Sequence, residues 1–260
     1  MKLSCVCKGP ASSTGAPLVL LHAYPLDSRM WRSQVEHFSG SRRVAALDFR
    51  GYGKSTDYGN DPFSMSVYAQ DVLETLDGLG IQKAVIAGCS MGGYTIFELW
   101  RRAPERFAAM ILCDTRADAD DEAGREKRMQ QIRIVQQKGT GFLPGFVEEN
   151  QMSPHTREQN RALVDEVKGW AAGATAGAVV RTIQMLADRP DSISTLGTVS
   201  VPTLVVVGED DKVTPVGMAH VIAEGIRGAR LETVPKAGHL SPLENPGAVN
   251  VAMAELLGRV

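Results

Sequence analysis

Short runs of consecutive apolar residues alternate with helix-like stretches along most of this chain. The apolar runs lie at 18–22, 43–49, 84–87, 110–113, 203–207 and 230–234. Several contain Val, Ile and Leu without polar alternation, which is typical of parallel strands covered on both faces. Between them, 66–79 has apolar residues at helical spacing with Gly78 and Gly80 as a stop signal, and 93–103 predicts a helix that ends at Pro104. The alternation predicts an α/β fold with a doubly wound, mostly parallel sheet.

One long segment breaks this alternation. Between 116 and 191 the pattern predicts no strand, whereas 118–137, 160–168 and 176–187 are helix-prone. Ligands of open α/β sheets bind beyond the carboxyl ends of the strands, so an insertion there typically forms a lid. We therefore expect a core formed by 1–115 and 192–260, with 116–191 inserted as a helical cap. Ordinary crossover helices joined by a long loop are the alternative.

Composition and charge exclude several classes of partner. The 260 residues are 43% hydrophobic and 22% charged, with a net charge of −2, as is ordinary for a soluble globular protein. No basic field is available to attract nucleic acid or acidic membranes. No apolar stretch reaches the roughly 18 residues of a membrane span, and the first 15 residues lack the apolar core of a signal peptide. We expect a cytoplasmic protein without nucleic-acid or membrane partners, and the oligomeric state stays open.

The four cysteines predict neither a disulfide framework nor a metal site. Cys5 and Cys7 are two residues apart on a predicted edge strand, so their side chains share a face. A metal pair would need a second ligand pair, and none is visible. Cys89 and Cys113 end apolar strands, where we expect them to be small buried hydrophobic residues.

The strongest chemical signal is the sequence GCSMG at 88–92, directly after the apolar run 84–87. It matches the G-x-S-x-G pattern of a nucleophile elbow, in which a serine occupies a tight turn between a strand and a helix. The pattern predicts Ser90 as the nucleophile of an acyl transfer. A serine that only caps the following helix is the alternative.

Two later segments supply the groups that such a serine requires. The sequence GEDDKVTP at 208–215 follows one predicted strand, and AGHLSP at 237–242 follows the next. Serine needs a base, and the base is oriented by an acid, in the chain order serine, acid, histidine. His239 is the predicted base, which acts later as the acid toward the leaving group. Either Asp210 or Asp211 could be the orienting acid.

With these segments the chain resembles the α/β-hydrolase superfamily over nearly its full length. The resemblance includes LLHAYP at 20–25 with Trp31 downstream, and DFRGYGKS at 48–55, which is similar to the family turn D-x-R-G-x-G-x-S. Within the superfamily the chain is similar to small esterases, 3-oxoadipate enol-lactonase-like proteins and cofactor-free haloperoxidase or perhydrolase-type esterases. The family spacing G-x-x-D favours Asp211 over Asp210 as the acid.

The resemblance also implies an oxyanion hole formed by the backbone amides of Met91 and Tyr24. The sequence departs from the family here, because the usual His-Gly is His22-Ala23, and a positive φ would be costly for alanine. We expect His22 to brace this loop and to take no part in the chemistry.

These observations predict a serine hydrolase that cleaves a small-molecule carboxylic ester or lactone through an acyl-enzyme, with Ser90, Asp211 and His239 as the triad. No cofactor or metal is required by this chemistry. Three alternatives stay open: perhydrolysis, which Pro25 after Tyr24 favours; carbon–carbon or amide cleavage on the same triad; and a ligand-binding receptor or pseudo-hydrolase. Trp170, Met185 and Leu186 could line an acyl pocket or belong to the core of the cap.

Overall fold

A twisted sheet with helices on both faces forms the centre of the computed structural model, which describes residues 1–10 and 15–260. Residues 11–14 belong to the stretch in which we expected no signal-peptide core, and that part of the prediction lies outside the described residues. The strands are β1 (Cys5–Lys8), β2 (Leu18–Leu21), β3 (Val44–Leu47), β4 (Ala84–Cys89), β5 (Phe107–Cys113), β6 (Thr203–Gly208) and β7 (Arg230–Val234).

The strand order confirms the predicted fold class. Within the described chain these seven strands form one sheet in the order β1-β3-β2-β4-β5-β6-β7. Only β1 runs antiparallel to its neighbour, with Cys5 opposite Leu47, and the other pairs are parallel. Strands β2, β3, β4 and β6 are buried along their whole length, as their unbroken apolar sequences predict. Their carboxyl ends therefore share one edge of the sheet.

Helices connect the strands and cover both faces of the sheet. They are α1 (Arg32–Phe38), α2 (Met65–Gly78), α3 (Met91–Arg102), α4 (Glu122–Lys138), α5 (Leu143–Phe146), α6 (Pro154–Gln159), α7 (Arg161–Ala172), α8 (Ala176–Ala187), α9 (Ile193–Leu196), α10 (Val216–Gly225), α11 (Ser241–Glu244) and α12 (Pro246–Leu257). Short 3₁₀ turns precede α1 and β5, and a π-helical turn, Val147–Gln151, follows α5.

Side-chain caps set several helix starts within a few residues of the predicted positions. The Ser64 hydroxyl accepts a hydrogen bond from the Val67 amide and starts α2 at Met65. The Asp121 carboxylate accepts one from the Gly124 amide, so α4 begins at Glu122, later than the charge pattern predicts. Such caps satisfy backbone amides that have no partner inside the helix.

Residues 116–191 contain helices and turns but no strand, as the sequence pattern predicts. We call these residues the helical segment. Helices α7 and α8 are joined by only three residues, and the Thr175 side chain caps α8. The segment is attached to the rest of the protein at buried positions, for example where the Tyr52 hydroxyl donates to Thr182 Oγ1 at 2.9 Å. Its division from the core as a separate cap domain stays a prediction.

The cysteines occupy the predicted positions. Cys5 and Cys7 lie on β1 with their sulfur atoms 2.7 Å apart, whereas Cys89 and Cys113 are buried in the core. Among the residues described, no helix combines the length and the apolarity needed to cross a bilayer.

Candidate active site

Ser90 occupies the turn between β4 and α3 in a backbone conformation that L-residues rarely adopt. Its φ is 51° and its ψ is −110°, and strain of this kind is concentrated at functional sites. The turn is possible because the residues two positions before and two positions after Ser90 are glycines. A Cβ on Gly88 would lie 2.4 Å from the Gly92 carbonyl carbon, and one on Gly92 would lie 2.3 Å from the Leu21 oxygen. The G-x-S-x-G spacing therefore reflects backbone atoms in close contact.

Three polar side chains form one chain of hydrogen bonds at this sheet edge. The Ser90 Oγ lies 2.8 Å from His239 Nε2, and His239 Nδ1 lies 2.9 Å from Asp211 Oδ2. An ionised carboxylate can only accept, so Nδ1 carries the imidazole proton and Nε2 is free to accept from the serine hydroxyl. The structure thus brings together Ser90, His239 and Asp211 in the orientation that lets an imidazole remove the serine proton.

The charges of Asp211 and His239 stabilise each other. Burial alone would lower the pKa of His239, but the Asp211 charge and the hydrogen bond to it outweigh burial and raise the pKa above its ordinary value. Burial likewise opposes ionisation of Asp211, yet the charge of His239 and the bonds to this carboxylate hold the pKa of Asp211 below its ordinary value. The environment therefore favours an ionised Asp211 that stabilises a protonated His239.

The loop after β6 distinguishes the two candidate acids. Asp211 Oδ1 accepts from the amides of Val213 and Thr214, and Oδ2 accepts from the Thr214 hydroxyl at 2.7 Å. These donors orient the carboxylate toward His239. Asp210 is exposed, and its amide bonds to the Ala237 carbonyl. Sequence reasoning missed Thr214, although its position three residues after Asp211 matches a local side-chain-to-backbone turn.

The two amides predicted for an oxyanion hole lie on adjacent elements. Met91 begins α3 directly after Ser90, and Tyr24 lies in the loop after β2, the strand that neighbours β4. In residues 1–10 and 15–260, neither amide donates to a protein acceptor. The expected difficulty at Ala23 is not found, because the positive-φ residues other than glycine in this part of the chain are Ser90, Asp114 and Lys236.

His22 braces the loop after β2. Its Nε2 accepts from the Phe49 amide at 2.9 Å, and its Nδ1 donates to the Ala23 carbonyl at 3.0 Å. Complete burial lowers the pKa of His22, so the ring is neutral and serves as a fixed link between two loops. This is the role that the sequence predicts for it.

Asp114 is a buried carboxylate that sequence reasoning did not select. It follows β5 with φ 46° and has no exposed surface. Its Oδ1 accepts from the Gly208 amide at 2.8 Å, and its Oδ2 accepts from the amide and hydroxyl of Ser241. Burial, with the nearby Asp211, raises the pKa of Asp114. The residue joins the end of β6 to the loop that carries His239. Its position at the carboxyl end of a parallel strand was the available signal.

The three residues predicted as candidates for lining an acyl pocket are all buried. Trp170 is buried beneath the guanidinium groups of Arg29 and Arg32, 5.2 and 5.6 Å from its ring centroid. Met185 and Leu186 are buried in α8. No group of three or more His, Cys, Asp and Glu side chains in the described parts of the chain is arranged to hold a metal ion.

The family model of the alpha/beta hydrolase fold matches residues 16–246. The matched range includes Ser90, Asp211 and His239, the three residues of the hydrogen-bond chain. The chain belongs to the α/β-hydrolase family.

Relatives of this hydrolase include lactone and ester hydrolases. It is 31% identical over 250 residues to 3-oxoadipate enol-lactonase 2 of Acinetobacter baylyi, an alignment that covers 93% of this chain and 88% of the relative. A thermophilic esterase from Thermogutta terrifontis, solved with malate bound, has a TM-score of 0.92 at 33% identity, covering 99% of this chain and 93% of that one. A hydrolase from Pseudomonas aeruginosa has a TM-score of 0.90 at 28% identity, with coverage of 98% and 94%. The α/β-hydrolase resemblance predicted from the motifs is confirmed.

Proposed function

We propose that this α/β-hydrolase cleaves small carboxylic esters or lactones through a covalent acyl-enzyme on Ser90. The observation that carries the proposal is the hydrogen-bond chain from Ser90 Oγ through the His239 ring to Asp211. The enol-lactonase and esterase names of the relatives support the substrate class. A cytoplasmic location stays a prediction.

The first half-reaction acylates the serine. Ser90 Oγ attacks the carbonyl carbon while its proton moves to His239 Nε2, and the resulting imidazolium is stabilised by the Asp211 carboxylate. The amides of Met91 and Tyr24 would donate to the developing oxyanion, and the loss of one such donor typically costs roughly 10²–10³ in rate. The proton on Nε2 then passes to the leaving alkoxide as the carbon–oxygen bond breaks. For a lactone, the released alcohol stays attached to the acyl group.

The second half-reaction uses water with the same groups. His239 removes a proton from water, the hydroxide attacks the acyl carbon, and collapse of the tetrahedral intermediate returns the proton to Ser90. The proposal includes the helical segment, 116–191, as a cap that excludes bulk water from this step. The low exposure of Ser90, 8% of its accessible surface, supports a site closed to bulk water.

The test compares hydrolysis of p-nitrophenyl acetate and butyrate by the wild type, Ser90→Ala and the control Ser194→Ala, which changes an exposed serine of α9. We expect turnover by the wild type and the control, and a loss of about 10⁴-fold or more in Ser90→Ala. A fluorophosphonate should add to Ser90, as read by peptide mass. Activity that survives in Ser90→Ala, or an adduct on another residue, would contradict the proposal.

Perhydrolysis is a second candidate reaction for the same acyl-enzyme. The observation that favours it is Pro25 directly after Tyr24, in the loop that carries a proposed oxyanion donor. Hydrogen peroxide would replace water as the second nucleophile and release a peracid. Bromination of a dye in the presence of acetate, peroxide and bromide would detect it, with Ser90→Ala as the control.

A further inference from the structure

One short stretch of the helical segment contacts both the loop that carries Tyr24 and the loop that carries His239. Gln151 ends the π-helical turn Val147–Gln151 and is 3% exposed. Turns of this type are rare and frequently occur at functional sites. Gln151 is 127 residues from Tyr24 and 88 from His239 in the chain, yet it bonds to both residues.

The side chain of Gln151 holds the loop that carries Tyr24. Its Nε2 donates to the Tyr24 carbonyl oxygen at 2.9 Å. The peptide that follows Tyr24 has no N–H, because the next residue is Pro25, so the carbonyl is its only hydrogen-bonding group. The bond fixes the residue whose own N–H is the proposed oxyanion donor.

The main chain of Gln151 holds the loop that carries His239. Its carbonyl accepts from the His239 amide at 2.9 Å. The amides on either side of the histidine, those of Gly238 and Leu240, donate to Glu244 Oε1, and Glu244 Oε2 accepts from the Ser153 amide at 2.7 Å. Three consecutive amides of the histidine loop are therefore held by the Gln151 carbonyl and the Glu244 carboxylate. The two loops are in close contact at Gly238, where an added Cβ would lie 2.8 Å from the Ser153 nitrogen.

We propose that Gln151 is a positioning residue, through which the helical segment aligns the oxyanion-hole amide of Tyr24 with the serine–histidine pair. This inference rests on the proposed function. Gln151 does not touch the reacting atoms; it acts through Tyr24. An oxyanion donor is effective only when it is held where the negative charge develops, and small misplacements of reacting groups cost large factors in rate. The segment thus completes the catalytic geometry in addition to covering it.

The side chain can be tested without removing its main-chain bond to His239. Gln151→Met keeps the length of the side chain and removes the donor to Tyr24. It also removes Oε1, a buried acceptor with no partner in the described structure, which offsets part of the cost of leaving the Tyr24 carbonyl unpaired. Gln159→Met is the matched control, since Gln159 lies in the same segment at an exposed position.

We expect Gln151→Met to lower kcat for p-nitrophenyl esters by about 10- to 100-fold, less than the loss of a whole oxyanion donor, with KM nearly unchanged. An alkylboronic acid that forms a tetrahedral adduct with Ser90 should bind more weakly by the same factor as kcat/KM falls. The pH at which activity is gained should not move, because the side chain does not contact the histidine ring. A purely structural role would lower stability without this parallel loss.

Two results would overturn the inference. If Gln151→Met equals Gln159→Met in kcat and in boronic acid affinity while the wild type hydrolyses esters, Gln151 does not position the donor, and the proposed function stands. If Gln151→Met instead raises KM alone, the residue binds substrate and does not align the oxyanion hole. A wild type without ester turnover and without a fluorophosphonate adduct on Ser90 would refute the proposed function itself.

Discussion

Replacing Asp211 with asparagine tests the proposed tautomer of His239 most directly. Asp211 Oδ1 accepts from two backbone amides, of Val213 and Thr214, and only an oxygen can keep both bonds. Asparagine would therefore direct its NH₂ group toward His239 Nδ1. A donor at this point requires an unprotonated Nδ1, so the ring proton moves to Nε2. A protonated Nε2 faces Ser90 Oγ and cannot accept the serine proton.

The expected loss of activity is large because His239 would be held in the tautomer that cannot accept the serine proton. The equivalent change in a serine protease costs about 10⁴ in kcat, which corresponds to about 5.5 kcal/mol of transition-state stabilisation. The pH dependence should change too. The proposed mechanism needs neutral His239, and Asp211 raises the pKa of this ring. Wild-type activity should therefore be gained as pH rises through a value above about 6.5, and loss of the carboxylate charge should move this limb to lower pH.

The assay is kcat/KM for p-nitrophenyl butyrate as a function of pH, for the wild type, Asp211→Asn and Asp210→Asn. The control changes the neighbouring carboxylate, which is exposed and does not bond to the histidine, so it should keep the wild-type rate and pH profile. An Asp211→Asn rate within tenfold of the wild type would refute the tautomer argument. A greater loss of kcat/KM in Asp210→Asn than in Asp211→Asn would show that Asp210 is the orienting acid.

Two further substitutions test the packing that supports the site. Gly92→Ala should lower the free energy of unfolding by about 1–3 kcal/mol, because its Cβ would meet the Leu21 oxygen. Gly217→Ala should not lower it, because a Cβ on this helical glycine would meet no described atom within 4 Å beyond its own helix and chain neighbours. Equal denaturation midpoints for the two variants would contradict the close-approach argument. Asp114→Asn should cost about 1–3 kcal/mol in urea denaturation, because an amide group would face the Ser241 amide donor; wild-type stability would show that this network does not need a carboxylate.

Much of the candidate site could be predicted because each of its groups follows a strand. Ser90, Asp211 and His239 come after β4, in the loop after β6 and in the loop after β7, and the carboxyl ends of parallel strands meet at one edge. Close backbone contacts require glycine at Gly88 and Gly92, so the sequence itself indicates where these contacts lie. Strand ends were predicted less well, because β4 continues through Gly88, a residue that disfavours strands. Pairing of Gly88 with Leu112 of β5 overrides that preference.

The contacts of Gln151 could not be predicted from the sequence. It bonds to Tyr24 across 127 residues of chain, and its position depends on a π-helical turn that no periodicity in the sequence indicates. Asp114 had a local signal at the end of β5, but its partners are distant in the chain: Gly208 ends β6 and Ser241 begins α11. Residues that act through long-range hydrogen bonds leave no local pattern, whereas residues whose neighbours must be small do.

The wide separation of the three proposed triad residues along the chain has a consequence for how activity would be acquired during folding. Ser90 and His239 are 149 residues apart, and Asp211 lies between them beyond the whole helical segment. Closing such long loops is slow, because their entropy must be lost before the contacts form. Helices can form early from local contacts, but a competent site requires β4, β6 and β7 to be docked together. On dilution from denaturant, ester hydrolysis should therefore return later than the far-ultraviolet helical signal, and catalytic turnover would report the last stage of assembly.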